Sequence, residues 1–222
     1  MIKSILKPII CTALILGCID AGAMMKAESP SLLQRIRALL GIAKPLAAGG
    51  SRGNGQSICL LSPWIYGSEG PVAIADSRPR IHTSERLNEI RIERNGEMEW
   101  RSLASSSQPI RTPLNWPTQA IKPGDQITLI LRGRQASAAD LVKITLIGAT
   151  KNEISEYQKA FQTLKDNPEL LPGLIKEALD RQDPALAIAL LEHSPTSKNT
   201  KHLKELLDAN PCQSKTSHKN GF

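Results

Sequence analysis

Aromatic side chains are scarce: the 222 residues include three Trp, two Tyr and two Phe. Seven rings leave little material for stacking nucleic-acid bases or for lining a sugar cleft. Long apolar runs are scarce too. The one such run lies at the N-terminus, which excludes a polytopic membrane protein. Four cysteines are too few for a disulfide-dense miniprotein. With 41% hydrophobic and 22% charged residues, the chain is neither collagen-like nor wholly disordered. Signature motifs of common chemistry are missing as well: there is no H-E-x-x-H, no paired C-x-x-C and no G-x-S-x-G. The histidines His82, His193, His202 and His218 are scattered. His193 and His202 can approach each other between helices, but two histidines without a third ligand rarely hold zinc, so both read as surface or helix-end residues.

What the chain does have begins at its start. Lys3 and Lys7 precede a short apolar run over residues 8–19, and Ala21-Gly22-Ala23 follows. This is the pattern of a secretory signal, with cleavage expected after Ala23. An alternative is Ile15-Leu16-Gly17-Cys18, which resembles a lipobox with Ile15 in the usual leucine position. Lipidation of Cys18 would then anchor the protein at the envelope membrane.

Export makes the cysteines informative. Cys59 and Cys212 remain after cleavage, and an oxidising compartment invites one bridge between them. They stand 153 residues apart, from 59 to 212. In the chain-entropy account a loop of that length is worth about 4–5 kcal/mol before strain. The alternative is a buried Cys59 in a strand and a free Cys212 in the tail.

Charge is uneven. Removing residues 1–23 takes away Lys3, Lys7 and Asp20 and leaves +6. Residues 24–57 carry five basic groups and one acid; residues 58–148 carry eleven and nine; residues 151–212 carry eight and ten. The basic excess is therefore concentrated in the flanks. A nucleic-acid reader concentrates it on one folded face, so nucleic acid is not expected as a partner.

Residues 24–56 read as a basic linker with one short amphipathic helix. Leu32, Leu33, Ile36, Leu39 and Leu40 follow helical spacing, with Arg35 and Arg37 among them. Ser31 is placed to cap this helix and Gly41 to stop it. Its face, through Leu32, Arg35, Ile36, Arg37, Leu39 and Leu40, suits either peripheral membrane contact or docking on the body of the protein. The following Gly50-Ser51-Arg52-Gly53-Asn54-Gly55-Gln56-Ser57 is a near miss to a phosphate loop. Gln56 stands where the lysine belongs, and a strand rather than a helix follows, so no nucleotide cofactor is expected.

Residues 57–148 read as β. Candidate strands lie at 57–62, 72–75, 80–83, 110–114, 126–132 and 141–147. Asn95-Gly96 marks a hairpin between Ile90/Ile92 and Met98/Trp100. Pro123-Gly124-Asp125 marks a turn. Short strands at this density predict a two-sheet sandwich of immunoglobulin or fibronectin type. Trp100 is expected in the core; Trp64 and Trp116, beside Pro63 and Pro117, are expected to pack, with exposure for recognition as the alternative.

Residues 151–210 switch to helical spacing. Ile154, Tyr157, Phe161 and Leu164 form one stripe, and Asn167-Pro168 breaks it. Leu171, Leu174, Ile175 and Ala178 form a second. Asp183-Pro184 opens a third helix with a cap and an N1 proline. Leu203, Leu206 and Leu207 mark a fourth. About two hairpins of tetratricopeptide-like type are expected, too few to stand alone, so they should pack on the sandwich. Residues 211–222 read as a disordered tail. The expected fold class is thus α+β in separate regions, an all-β sandwich followed by helical hairpins.

The motifs Gly49-Gly50-Ser51-Arg52, Ile58-Cys59-Leu60-Leu61-Ser62-Pro63, Ser77-Arg78-Pro79, Trp100, Lys122-Pro123-Gly124 and Pro211-Cys212 together resemble a group of small, uncharacterised exported bacterial proteins of cyanobacterial type. The resemblance implies an export signal, a fibronectin-like sandwich and a helical tail, and brings no catalytic residue. The chain departs from that pattern where His82 and Ile127 replace expected aromatics.

Three readings of function follow. The first is a non-enzymatic, periplasmic or secreted protein-interaction or scaffold module without metal or cofactor. The second is a membrane-anchored lipoprotein that binds the envelope surface. The third is a glycan-acting enzyme using Glu97 or Glu99, two apart on one strand. Against the third, these acids lie opposite the arginine-rich 91–94 segment, where cross-strand ion pairs are expected.

Overall fold

The structure is a computed structural model that describes residues 30–41, 46–47, 57–66, 70–134, 136, 141–195 and 198–208. The expected leader with Cys18, Ala21 and Ala23 lies outside the described residues. So do most of the glycine-rich stretch, Cys212 and the tail. The elements run α1 (Leu32–Gly41), β1 (Leu46–Ala47), β2 (Ser57–Ile58), β3 (Leu60–Ser62), β4 (Val72–Ile74), β5 (His82–Thr83), β6 (Leu87–Arg94), β7 (Glu97–Leu103), β8 (Gln126–Gly133) and β9 (Val142–Gly148). They continue with α2 (Lys151–Asp166), a 3-10 turn at Pro168–Leu170, α3 (Leu171–Asp180), α4 (Pro184–His193) and α5 (Lys198–Asp208). The chain is mixed α and β, with its sheets in the middle and helices on the C-terminal side.

The principal sheet has five strands in the order β4-β9-β8-β6-β7. Asn95 (φ 52°) and Gly96 (φ 90°) turn β6 into β7, both with the positive φ that a two-residue hairpin turn of this hand requires. Strands β6, β7, β8 and β9 pair antiparallel. The short strand β4 adds parallel to β9, which local spacing did not indicate. Residues 110–114, expected as a strand, instead make isolated bridges, Ile81 with Leu114 and Leu87 with Ile110. Prolines at both ends of that stretch limit the ladder it can form.

Alternation divides the five-stranded sheet into two faces. Ile90, Ile92, Ile127, Leu129, Leu131, Val142, Ile144 and Leu146 point inward and are buried. Leu60, Ile81, Trp116 and Ile121 close over them. Ile127, one of the two departures from the expected aromatic pattern, fills this core fully buried.

A second core lies among the helices. The α2 helix starts with a capping box: Thr150 Oγ1 accepts from Glu153 N, and Glu153 accepts from Thr150 N. Asp183 caps α4 by accepting from Leu186 N at 2.9 Å. Residues Leu186 to Glu192 of α4 are all buried, because α2, α3, α5 and β3 pack around it.

The helical region packs on the sheet region, and the two share a segment of chain. Ile58 and Leu60 belong to the sheet core, whereas Cys59 and Leu61 belong to the helical core. One extended segment thus serves both cores, since successive side chains leave it on opposite faces. Burial on both faces explains why Ile58-Cys59-Leu60-Leu61 reads as an unbroken apolar run.

The expected linker also belongs to the fold. Ser31 and Gln34 form the cap of α1, with Ser31 N donating to Gln34 Oε1 at 2.8 Å. Ile36 and Leu40 are buried in the helical core, and Arg35 Nη1 bonds Asp180 Oδ1 at 2.7 Å. Leu32, Leu33 and Leu39 pack against the same cluster. The apolar stripe considered for membrane contact is therefore occupied by the chain's own helices. Downstream, β1 pairs antiparallel with β2.

Candidate functional site

Register places an arginine cluster on the outward face of the five-stranded sheet. Leu103 (β7), Glu89 (β6) and Arg132 (β8) form one cross-strand row. Arg101, Arg91, Ile130 and Lys143 form the next, and Met98, Glu93, Thr128 and Thr145 the third. At the far end Ile147 lies between Gln126 and Ala73.

Glu89 is the centre of this face. Its side chain is only 5% exposed, and three guanidiniums from three strands converge on it. Arg101 Nε donates to Oε1 at 2.8 Å, Arg91 Nη2 donates to Oε1 at 3.0 Å, and Arg132 Nη2 lies 3.2 Å from Oε2. Burial opposes the ionised carboxyl. The hydrogen bonds from Arg91 and Arg101 and the charges of Arg101 and Arg132 together outweigh it, holding Glu89 below the usual carboxylate range. Glu93 lies 3.7 Å from Arg91 Nη1. The Nε atoms of Arg91 and Arg132 are buried and find no acceptor among the described residues. The cluster is therefore rich in donors relative to acceptors.

The same face exposes apolar side chains. Met98 is 63% exposed, Leu103 55% and Ile147 39%. Sequence spacing placed Met98 and Trp100 on one apolar face. The structure corrects this: the ladder shifts between Ile92 and Glu93, so Trp100 opposes Ile92, Met98 opposes Glu93, and Glu99 is the extra residue of a bulge. Trp100 then packs inward, half-buried, and Met98 is turned out. The bulge also breaks the simple alternation that would have paired Glu97 with Glu99. Glu99 instead bonds Arg94 Nε at 2.9 Å, a cross-strand ion pair.

A second polar cluster sits where sheet and helices meet. His82 Nδ1 donates to Glu192 Oε1 at 2.5 Å, and Arg80 Nη1 donates to the Glu192 carbonyl at 2.8 Å. His193 Nε2 donates to Asp76 Oδ2 at 2.8 Å, and Arg78 N donates to Asp76 Oδ1 at 2.9 Å. The Phe161 ring covers His193, with centroids 4.6 Å apart. Tyr157 donates to Asp183 at 2.9 Å; burial, then the nearby Asp183 charge, pushes its phenol well above the ordinary range. Trp64, Asp76, Tyr157 and Ala189 line a cavity of about 30 Å³, room for a single water. His82 and Arg80 meet Glu192 and Asp76 meets His193 across the junction, so the cluster acts as a structural tie between the layers. It also explains His82: a histidine fits where an aromatic was expected because Glu192 meets it.

The other residues singled out in the sequence have these places. Trp64 and Trp116 are buried, in the helical and sheet cores respectively. Cys59 is buried and disulfide-bonded, while Cys212 lies outside the described residues. Glu97 and Glu99 stand exposed on the edge strand. Among the described residues no three His, Cys, Asp or Glu side chains are grouped to hold a metal ion. Sequence reasoning missed Glu89 and its arginines, although Glu89 and Arg91 alternate visibly along β6. No family model, curated protein or solved structure matches the chain.

Proposed function

We propose that the protein is exported and works in the cell envelope as a non-enzymatic protein-interaction module, with the outward face of the five-stranded sheet as its contact surface. The observation that supports this best is the make-up of that face. Three arginines gathered on one buried glutamate stand beside exposed Met98 and Leu103, with exposed Ile147 at the far end of the same face. Arginine beside large apolar side chains is the composition favoured in protein interfaces. The opposite face of the sheet is filled by the core, and the helical layer braces the junction. We read the β-region as a two-layer sandwich, with the five-stranded sheet facing the β3–β5 pair, and α3–α4 as a tetratricopeptide-like hairpin. The leader over residues 1–23, the bonded Cys59 and the resemblance to exported proteins support export.

Strand addition at the free side of β7 is the less favoured mode. The bulge at Glu99 and the charges of Glu97, Glu99 and Arg101 are devices that blunt an edge. Binding therefore uses the face of the sheet rather than its edge.

A photo-crosslinking residue placed at position 103 in the native host tests this, with position 156 on α2 as control. A discrete adduct is expected from position 103 that disappears with Arg101→Glu. An adduct from position 156 alone, or one indifferent to Arg101→Glu, overturns the assignment.

A further inference from the structure

We infer that Arg91, Arg101 and Arg132, gathered by Glu89, form a carboxylate-binding subsite for an acidic, extended segment of a partner protein. The inference rests on the outward sheet face being the contact surface. Three guanidiniums this close repel one another unless something holds them. Glu89 does so from a buried position, fixing side chains that would otherwise sample many rotamers. Such preorganisation is what a binding site needs and what a solvated sheet face does not.

Glu89 does not neutralise the cluster. Counting Arg91, Arg101, Arg132 and Lys143 against Glu89 and Glu93, the face keeps two positive charges. Arg101 uses only Nε on Glu89, leaving both Nη groups without an acceptor among the described residues, on a side chain 42% exposed. The two N–H groups along one edge of a guanidinium match the two oxygens of a carboxylate.

The apolar residues select the class of anion. Along β7 the outward positions read Leu103, Arg101 and Met98, apolar on both sides of the charge. Outward residues of a strand recur about every 7 Å, which is also the i to i+2 step of an extended peptide. A segment with apolar, acidic and apolar side chains at alternate positions therefore meets all three. A free phosphate would leave the apolar flanks idle. A bilayer would need its apolar contacts grouped rather than split around the charge.

The test uses the purified mature chain and a fluorescein-labelled peptide, Leu-Ser-Glu-Ser-Leu-Ser-Glu-Ser-Leu, read by anisotropy. The glutamate peptide should bind about tenfold more tightly than its glutamine counterpart, and Arg101→Gln should weaken binding about fivefold when measured well below the melting temperature of both chains. Arg101→Lys, which keeps the charge and loses the fork, should weaken it nearly as much. Equal binding of the two peptides overturns the subsite. So does displacement by inorganic phosphate at peptide-like concentrations, or binding only to phosphatidylglycerol vesicles. If the position-103 adduct forms while the peptides bind alike, the contact face stands and the carboxylate subsite falls.

Discussion

Glu89→Gln removes the charge at the centre of the arginine cluster and turns one of its two acceptor oxygens into a donor. The wild-type carboxylate accepts from Arg101 at 2.8 Å and Arg91 at 3.0 Å, with Arg132 at 3.2 Å. Hydrogen bonds to a charged group are worth about 1.5–3 kcal/mol each where water is excluded. Arg91, Arg101 and Arg132 are 28%, 42% and 22% exposed, so water takes over much of what is lost. The net cost is then about 2 kcal/mol, or about 4–8 °C in melting temperature for a chain of this size. The pH dependence gives the sharper test. The folded carboxyl lies below its ordinary value of about 4.3. Its contribution is therefore complete above that value and is lost as pH falls through the folded one. Thermal melts of wild type and variant should differ by a constant amount between pH 6 and 8, and the difference should shrink as pH falls below about 4.3. A difference that does not shrink on further acidification, or none at pH 7, would refute the reasoning.

Three further outcomes follow from the fold. Ile36→Ala should cost about 2–4 kcal/mol in urea unfolding, because the side chain is buried in the helical core; an unchanged midpoint would mean that α1 is not docked. Gly148→Ala should sharply reduce soluble yield, since a Cβ there would lie 1.9 Å from the Lys122 carbonyl oxygen; Gly173→Ala, with open space around it, should not. Intact mass after alkylation without reduction should show a chain beginning at Met24 with no added alkyl groups, meaning Cys59 bonded to Cys212. Two alkyl groups would break that pairing, and a lipid-sized increment on Cys18 would make the protein a lipoprotein instead.

Local chemistry was legible in the sequence and long-range pairing was not. Asn95-Gly96 and Asp183-Pro184 announce their turn and cap because the interacting atoms lie within four residues. The double life of residues 58–61 was visible only as a run of apolar residues. Two buried faces and one buried face differ by what packs above, which is set far along the chain. The tie between His82 and Glu192 spans 110 residues, and that between His193 and Asp76 spans 117. The arginine cluster was hidden for a further reason. Arg101 reaches Glu89 only because the ladder slips by one residue at Glu99, and a slip of one residue exchanges the faces of everything on one side of it. The parallel addition of β4 to β9 likewise depends on closure across about seventy residues, which periodicity does not record.

Amide chemical-shift mapping of the mature chain, titrated with the glutamate peptide, tests the central claim most directly. The account predicts that the largest shifts fall on Glu89, Arg91, Arg101, Leu103 and Arg132, along the outward face of β6, β7 and β8. Shifts concentrated on α2 to α5, or spread evenly over basic residues anywhere in the chain, would contradict it.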